Sequence, residues 1–152
     1  MIDTIEDRSQ DFYILICFNE GDNMQNTSKL DTVQRAFKRY IDAFNTCDLT
    51  EIHRQLNVDI EVQFNGNIAS QGRDNILPFY DSDFKIGKKV EVTWGPMLKD
   101  NGTTVDVDVT LVATTLGVEV VQLDVVYIYE LSSMTQVGHK IDNVKTLSSE
   151  PT

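Results

Sequence analysis

The sequence predicts an α+β domain, and three observations carry the prediction. Apolar residues recur at spacings of three and four up to about residue 56. The period then drops to two, and from about residue 88 four long alternating segments follow one another with short turns between them. Helices in front and a strand meander behind mean an antiparallel sheet whose apolar face is covered by the helices.

The first helix is expected to start at Ser28-Lys-Leu-Asp31, with Ser28 or Asp31 as its cap. Leu30, Val33, Phe37, Tyr40, Ile41 and Phe44 then share one face, to about Thr46. Asp48-Leu-Thr-Glu51 restarts a short second helix, acid at the cap and Glu three residues on, which buries Leu49, Ile52 and Leu56. His53 sits beside that buried side and reads as an exposed or capping histidine. Val58, Ile60, Val62 and Phe64 alternate with Asp59, Glu61 and Gln63, and Asn65-Gly66 has the chemistry of a hairpin turn. After a short return strand, Asp74 can cap a third helix to about Phe84 that buries Ile76, Leu77, Phe79 and Tyr80. Pro78 sits one residue deeper in that helix than is free of cost.

The meander follows. Val90, Val92 and Trp94 alternate with Lys89, Glu91 and Thr93, and Lys99-Asp-Asn-Gly102 makes the turn. Val105, Val107, Val109 and Leu111 alternate with Thr104, Asp106, Asp108 and Thr110, ending at Leu116-Gly117. Val118 to Glu130 is apolar on both faces, and Gln136 to Thr146 sets Val137, His139 and Ile141 opposite Gly138, Lys140 and Asp142.

At 152 residues and 41% hydrophobic content the chain can bury one real core without disulfide or metal staples. Thirteen Lys and Arg against 24 Asp and Glu give a net charge of −11, which argues against nucleic acid and anionic membranes as partners. No apolar run approaches the roughly 18 to 20 residues of a spanning helix. Only Cys17 and Cys47 occur, with no CxxC and no His pair at metal spacing, so no metal or cofactor is expected and a reducing cytoplasm is the simplest compartment. Residues 1–28 form an acidic extension outside the domain of residues 29–147, and 148–152 a short tail. Asp3, Glu6, Asp7, Asp11, Glu20 and Asp22 against Arg8 put −5 of the charge before Met24, leaving −6 for the rest. Residues 1–23 are therefore expected to be dispensable, although the apolar run Phe12 to Phe18 could add an edge strand.

A strand polar on one side and apolar on the other assigns its own faces. By that rule Val107, Val109, Leu111, Val90, Val92, Trp94 and His139 point at the helices. The fifth strand is less decisive. One face carries Val118, Val120, Gln122, Asp124, Val126 and Ile128; the other carries Glu119, Val121, Leu123, Val125, Tyr127 and Tyr129. If the first set points inward, Asp124 is an ionisable group in an apolar cavity with the raised pKa of a general acid, and His139 can meet it diagonally. If the second does, Asp124 is solvated and carries no chemistry. The first orientation is expected. Tyr40 lies on the buried helix face with a hydroxyl that needs a partner, and Phe64, Phe79, Tyr80 and Trp94 are expected as walls of the same interior. There is no Gly-rich phosphate loop, HExxH or GxSxG elbow, which argues against phosphoryl transfer, metalloprotease and serine-hydrolase chemistry.

The order helix, short helix, hairpin, helix, long meander resembles the nuclear-transport-factor-2-like superfamily, the cone-shaped fold of ketosteroid isomerases and SnoaL-like polyketide cyclases. Val33-Gln-Arg-Ala-Phe-Lys-Arg-Tyr-Ile-Asp-Ala-Phe-Asn-Thr-Cys-Asp-Leu49 resembles the isomerase's first helix, and Gly72-Arg-Asp-Asn-Ile-Leu-Pro-Phe-Tyr80 the family's third. Leu123-Asp-Val-Val resembles the strand with an inward Asp, and Val137-Gly-His-Lys-Ile-Asp142 the ending common in cyclase-like members. The resemblance implies a curved antiparallel sheet wrapped around the N-terminal helices, and it maps the isomerase's oxyanion-hole tyrosine to Tyr40 and its protonated aspartic acid to Asp124, a pairing that is itself a standard example of pKa tuning. Phe64-Asn65 stands where the isomerase has its general base, so steroid double-bond isomerisation by that mechanism is not expected.

The function expected is binding of a small hydrophobic molecule in the cone, with cofactor-free acid/base isomerisation or cyclisation of a carbonyl compound. Tyr40, Asp124 and His139 are the catalytic candidates, and Phe64, Phe79, Tyr80, Trp94 and Asn143 the substrate-binding ones. A homodimer through the outer sheet face is expected. The alternative is a non-catalytic binding or interaction module of the same fold.

Overall fold

The computed structural model describes residues 24–116 and 119–147. The expectations for residues 1–23 and for the tail at 148–152 lie outside the described residues.

Helix α1 spans Met24–Asn45 and so begins upstream of the cap expected at Ser28 or Asp31. Both residues work inside the helix: the Ser28 carbonyl accepts from Thr32 Oγ1 at 2.9 Å, and Asp31 pairs with Arg35 one turn on at 2.8 Å. Leu30, Val33, Phe37, Tyr40 and Phe44 form its buried face, as the three-four spacing requires. Helix α2, Leu49–Gln55, is capped by Asp48, which accepts from the Glu51 amide at 3.1 Å. Its Ile52 and the following Leu56 are fully buried, each worth about 2 kcal/mol in hydrophobic transfer.

Strands β1 (Leu56–Phe64) and β2 (Asn67–Gln71) form the hairpin, with Asn65 and Gly66 both at positive φ. Helix α3, Arg73–Lys85, follows Gly72 and carries Pro78 inside it. Asp74 stands in its first turn, but no side chain caps it. Strands β3 (Lys89–Asp100), β4 (Thr104–Thr115), β5 (Glu119–Glu130) and β6 (Thr135–Thr146) complete one six-stranded sheet in the order β2-β1-β6-β5-β4-β3. All neighbours are antiparallel except β1 and β6, which run parallel. The meander ends by laying β6 along β1 in the same direction, a contact that short turns alone cannot make.

The inner face of β4 is as expected, with Val105, Val107, Val109 and Leu111 buried. Their partners across β5 are Tyr129, Tyr127, Val125 and Leu123. That pairing turns the β5 orientation adopted from the sequence around. Asp124 stands opposite Thr110 on the outer face, and the inward set is the one ending in Tyr127 and Tyr129.

Three further side chains leave the interior expected for them. In β3 two register shifts flank Trp94, so that it pairs with the outward Thr110 and is 48% exposed; a bulge swaps the faces of the residues beyond it. Phe64, at the strand end beside the turn and past a shift at Val62/Gln63, is 43% exposed. Asn143 sits where β6 shifts register against β5, with φ 54°, and donates outward to Asp124 Oδ2 at 2.7 Å. A side-chain clamp fastens the end of α1 to the sheet: Asn45 Nδ2 donates to the Val90 carbonyl at 2.9 Å and Asn45 Oδ1 accepts from the Val90 amide at 2.8 Å.

Candidate active site

Four polar side chains from four elements converge between the helices and the sheet. Tyr40 comes from α1, Tyr80 from α3, Tyr127 from β5 and His139 from β6. The period of each element supplies the aim. Tyr40 follows Phe37 by three and precedes Phe44 by four, whereas Tyr127 and His139 are a directly paired residue couple across two strands. The hydroxyls of Tyr40 and Tyr80 are 2.6 Å apart. The Tyr127 ring lies 5.2 Å from that of Tyr40 and 4.7 Å from the imidazole of His139, both edge-on.

Burial governs the electrostatics. It pushes the hydroxyls of Tyr40, Tyr80 and Tyr127 well above the ordinary tyrosine pKa, so all three are O–H groups at neutral pH. It lowers His139 from 6.5 to about 3, so this imidazole is uncharged. Its Nε2 lies 2.6 Å from Gln136 Oε1.

These groups line a cavity of about 190 Å³ whose remaining walls are Phe44, Val90, Leu111, Ala113, Leu123, Val125 and Ile141. Phe79, 63% exposed, and the half-buried Lys88–Asp83 ion pair at 3.1 Å complete its lining and mark its opening. A larger groove of about 350 Å³ between α1 and β3 is lined by Lys38, Asp42, Asn45 and Glu91 and contains no tyrosine or histidine.

Tyr40, Tyr80 and His139 are therefore brought together, and Phe79 joins them as a rim residue in place of a buried wall. Asp124, Phe64, Trp94 and Asn143 are not in the cavity. Asp124 accepts from Thr110 Oγ1 at 2.8 Å and from Asn143 on the outer face, and those two hydrogen bonds hold its carboxyl below the usual range, the reverse of the raised pKa expected of an acid in an apolar cavity. Tyr127 carries no sequence signal of a site residue, because β5 is apolar on both faces and only its register against β4 turns this side inward.

No family model matches the chain, and no curated protein matches it. Solved structures do. A nuclear-transport-factor-2-like protein of unknown function from Shewanella oneidensis superposes with TM-score 0.63 at 14% identity, over 75% of this chain and 98% of that one. The fold is that of the nuclear-transport-factor-2-like proteins. The epoxide hydrolase/cyclase-like enzyme SalBIII, of pyran ring formation in polyether salinomycin, shares this cone with TM-score 0.59 at 12% identity, over 77% and 97% of the two chains. An M. tuberculosis LEH-like epoxide hydrolase shares it with TM-score 0.58 at 16% identity, over 74% and 82%. Among the described residues, no helix is long and apolar enough to cross a membrane and no cluster of His, Cys, Asp or Glu could hold a metal ion.

Proposed function

We propose that this protein binds a small, mostly apolar carbonyl compound in the inner cavity and moves a proton on it without a cofactor, as an isomerase or cyclase does. The observation that supports this is the convergence of the paired Tyr40 and Tyr80 hydroxyls and the uncharged His139 on one apolar-walled space. His139 takes the proton from the carbon next to the carbonyl. Tyr40, whose hydroxyl can receive a hydrogen bond from Tyr80, donates its own to the oxygen on which negative charge develops. The proton returns to a different carbon, so the step consumes nothing. The gain of roughly 10² to 10⁴ from a positioned base holds when its pKa lies near the operating pH, and at about 3 His139 starts as a weaker base and supplies less.

Size narrows the ligand. An enclosed cavity of roughly 150 Å³ holds benzene, so about 190 Å³ fits one ring inside, and any larger molecule extends through the opening beside Phe79. The test uses one-ring ketones in D₂O. Ligand-observed NMR reads binding, and loss of the α-proton signal reads proton abstraction. Exchange above the buffer rate that disappears in His139→Ala, with binding kept, is expected. Binding without exchange would leave the second reading, a non-catalytic ligand module, which the outward orientation of Asp124 favours; no binding would remove both.

The same reading includes a homodimer through the outer face of the sheet, supported by Trp94 and Met97, 48% and 49% exposed, opposite Thr110 and Asp108 on that face. Light scattering measures it, with a monomer as the refuting result. The free thiol of Cys47, which is exposed, suits a reducing cytoplasm.

A further inference from the structure

We propose that a buried hydrogen-bond chain anchored on Glu51 and the Ala36 carbonyl sets the tautomer of His139, leaving Nδ1 as its unprotonated nitrogen. The argument starts at the far end of the chain. Gln55 Nε2 lies 2.9 Å from the Ala36 carbonyl and 3.0 Å from Glu51 Oε2. A backbone carbonyl and a carboxylate can only accept, so the amide of Gln55 is locked with its NH₂ toward them. Its Oε1 therefore faces Tyr129 Oη, 2.8 Å away, and Tyr129 must donate.

The Tyr129 oxygen, its proton committed, accepts from Gln136 Nε2 at 2.9 Å. That orients the second amide as well and presents Gln136 Oε1 to His139 Nε2. An amide oxygen only accepts, so Nε2 carries the ring proton. A neutral imidazole has one N–H, and Nδ1 is left with a lone pair. Tyr129 and Gln136 are fully buried, and Gln55 and His139 are 4% and 5% exposed, so water has little access to reverse any link. Arg39 and Arg54 flank Glu51 at the surface end, Arg54 also by a hydrogen bond.

Every donor in the chain points toward Glu51, and every acceptor toward His139. That polarity also favours a positive charge on the ring when Nδ1 takes a proton, since Gln136 Oε1 then accepts from a cationic donor. Resting on the catalytic reading above, Nδ1 is the atom that receives the substrate's proton, and Gln55, Tyr129 and Gln136 are positioning residues that never touch it. The tautomer itself does not depend on that reading.

The experiment is long-range ¹H–¹⁵N NMR of the histidine rings in the full-length, ligand-free protein at neutral pH. A single His139 form with Nε2 protonated is expected. A protonated Nδ1, or an average of two tautomers, would overturn the proposal. Gln55→Met frees Tyr129 and Gln136 to reverse, and a second set of ring signals with the nitrogen shifts exchanged is expected. Tyr129→Phe cuts the chain by one oxygen and predicts the same change, should Gln55→Met not fold. Unchanged nitrogen shifts in a folded variant would show that the chain does not set the tautomer. Absent ketone exchange together with an Nε2–H ring would remove the catalytic reading and leave this one standing.

Discussion

Removing the imidazole of His139 should flatten the acid limb of the stability curve. In the unfolded chain this histidine titrates near its ordinary 6.5, and in the fold burial depresses it to about 3. Between those values the unfolded chain binds a proton that the folded chain does not. Stability is therefore fully kept above pH 6.5 and lost as pH falls toward 3. From pH 7.5 to pH 5 the loss is about 2 kcal/mol, a figure set by the unfolded value alone as long as the folded value lies well below 5. Urea unfolding of the wild type and of His139→Leu at the two pH values isolates the effect, because every other titrating group is common to both. The variant carries a constant cost for leaving Gln136 Oε1 without its donor, and that cost cancels in the pH difference. With a slope of roughly 2 kcal/mol per molar urea, the wild-type midpoint should fall by about 1 M more than the variant's. Parallel midpoints would show that His139 is not held neutral by burial.

Other perturbations address the faces and the cluster. Asp124→Ala should leave binding of a cavity ligand unchanged in calorimetry, because the carboxylate sits on the opposite side of the sheet, and should cost about 1 kcal/mol of stability through its hydrogen bonds to Thr110 and Asn143. Weakened binding would contradict the register of β5. Tyr80→Phe strips the Tyr40 hydroxyl of its buried partner, and a loss of about 1–3 kcal/mol in chemical denaturation is expected; an unaffected midpoint would mean that the pair contributes nothing. Gly95→Ala would put a Cβ 2.6 Å from the Asp108 carbonyl oxygen at φ 90°, so at least about 1–3 kcal/mol of strain should appear as a lower melting temperature. Wild-type melting would show that the β3 bulge can relax.

Where a segment had one clean period, its residues were legible in the sequence. Phe37, Tyr40 and Phe44 on α1, Val105 to Leu111 on β4, and His139 beside Ile141 on β6 stand on the faces their spacing predicts. The caps were uneven. Asp48 caps α2 as expected, but Ser28 and Asp31 do not begin α1, since nothing between Met24 and Ser28 breaks a helix. Trp94 and Phe64 leave the faces their spacing predicts for one reason. A bulge or strand end changes a residue's face without changing the sequence pattern that predicts it.

What the sequence determined by itself is the class, the order of elements and half of the cavity: helical and strand periods are local, and each is dictated by the side that must avoid water. What only the tertiary structure decided is the other half. The face of β5 depends on register. Pairing Thr115 with Val118, directly after Leu116-Gly117, would set Asp124 opposite Val109 and inside; the observed pairing of Thr115 with Glu119 sets Val125 there and turns Asp124 out. Because side chains alternate with a period of two, one residue of slip exchanges an acid for two tyrosines in the interior. The chain from Glu51 to His139 has the same origin. Gln55 lies 74 residues before Tyr129, none of the three carries a motif, and they become one network only when α2 packs against the β5–β6 pair.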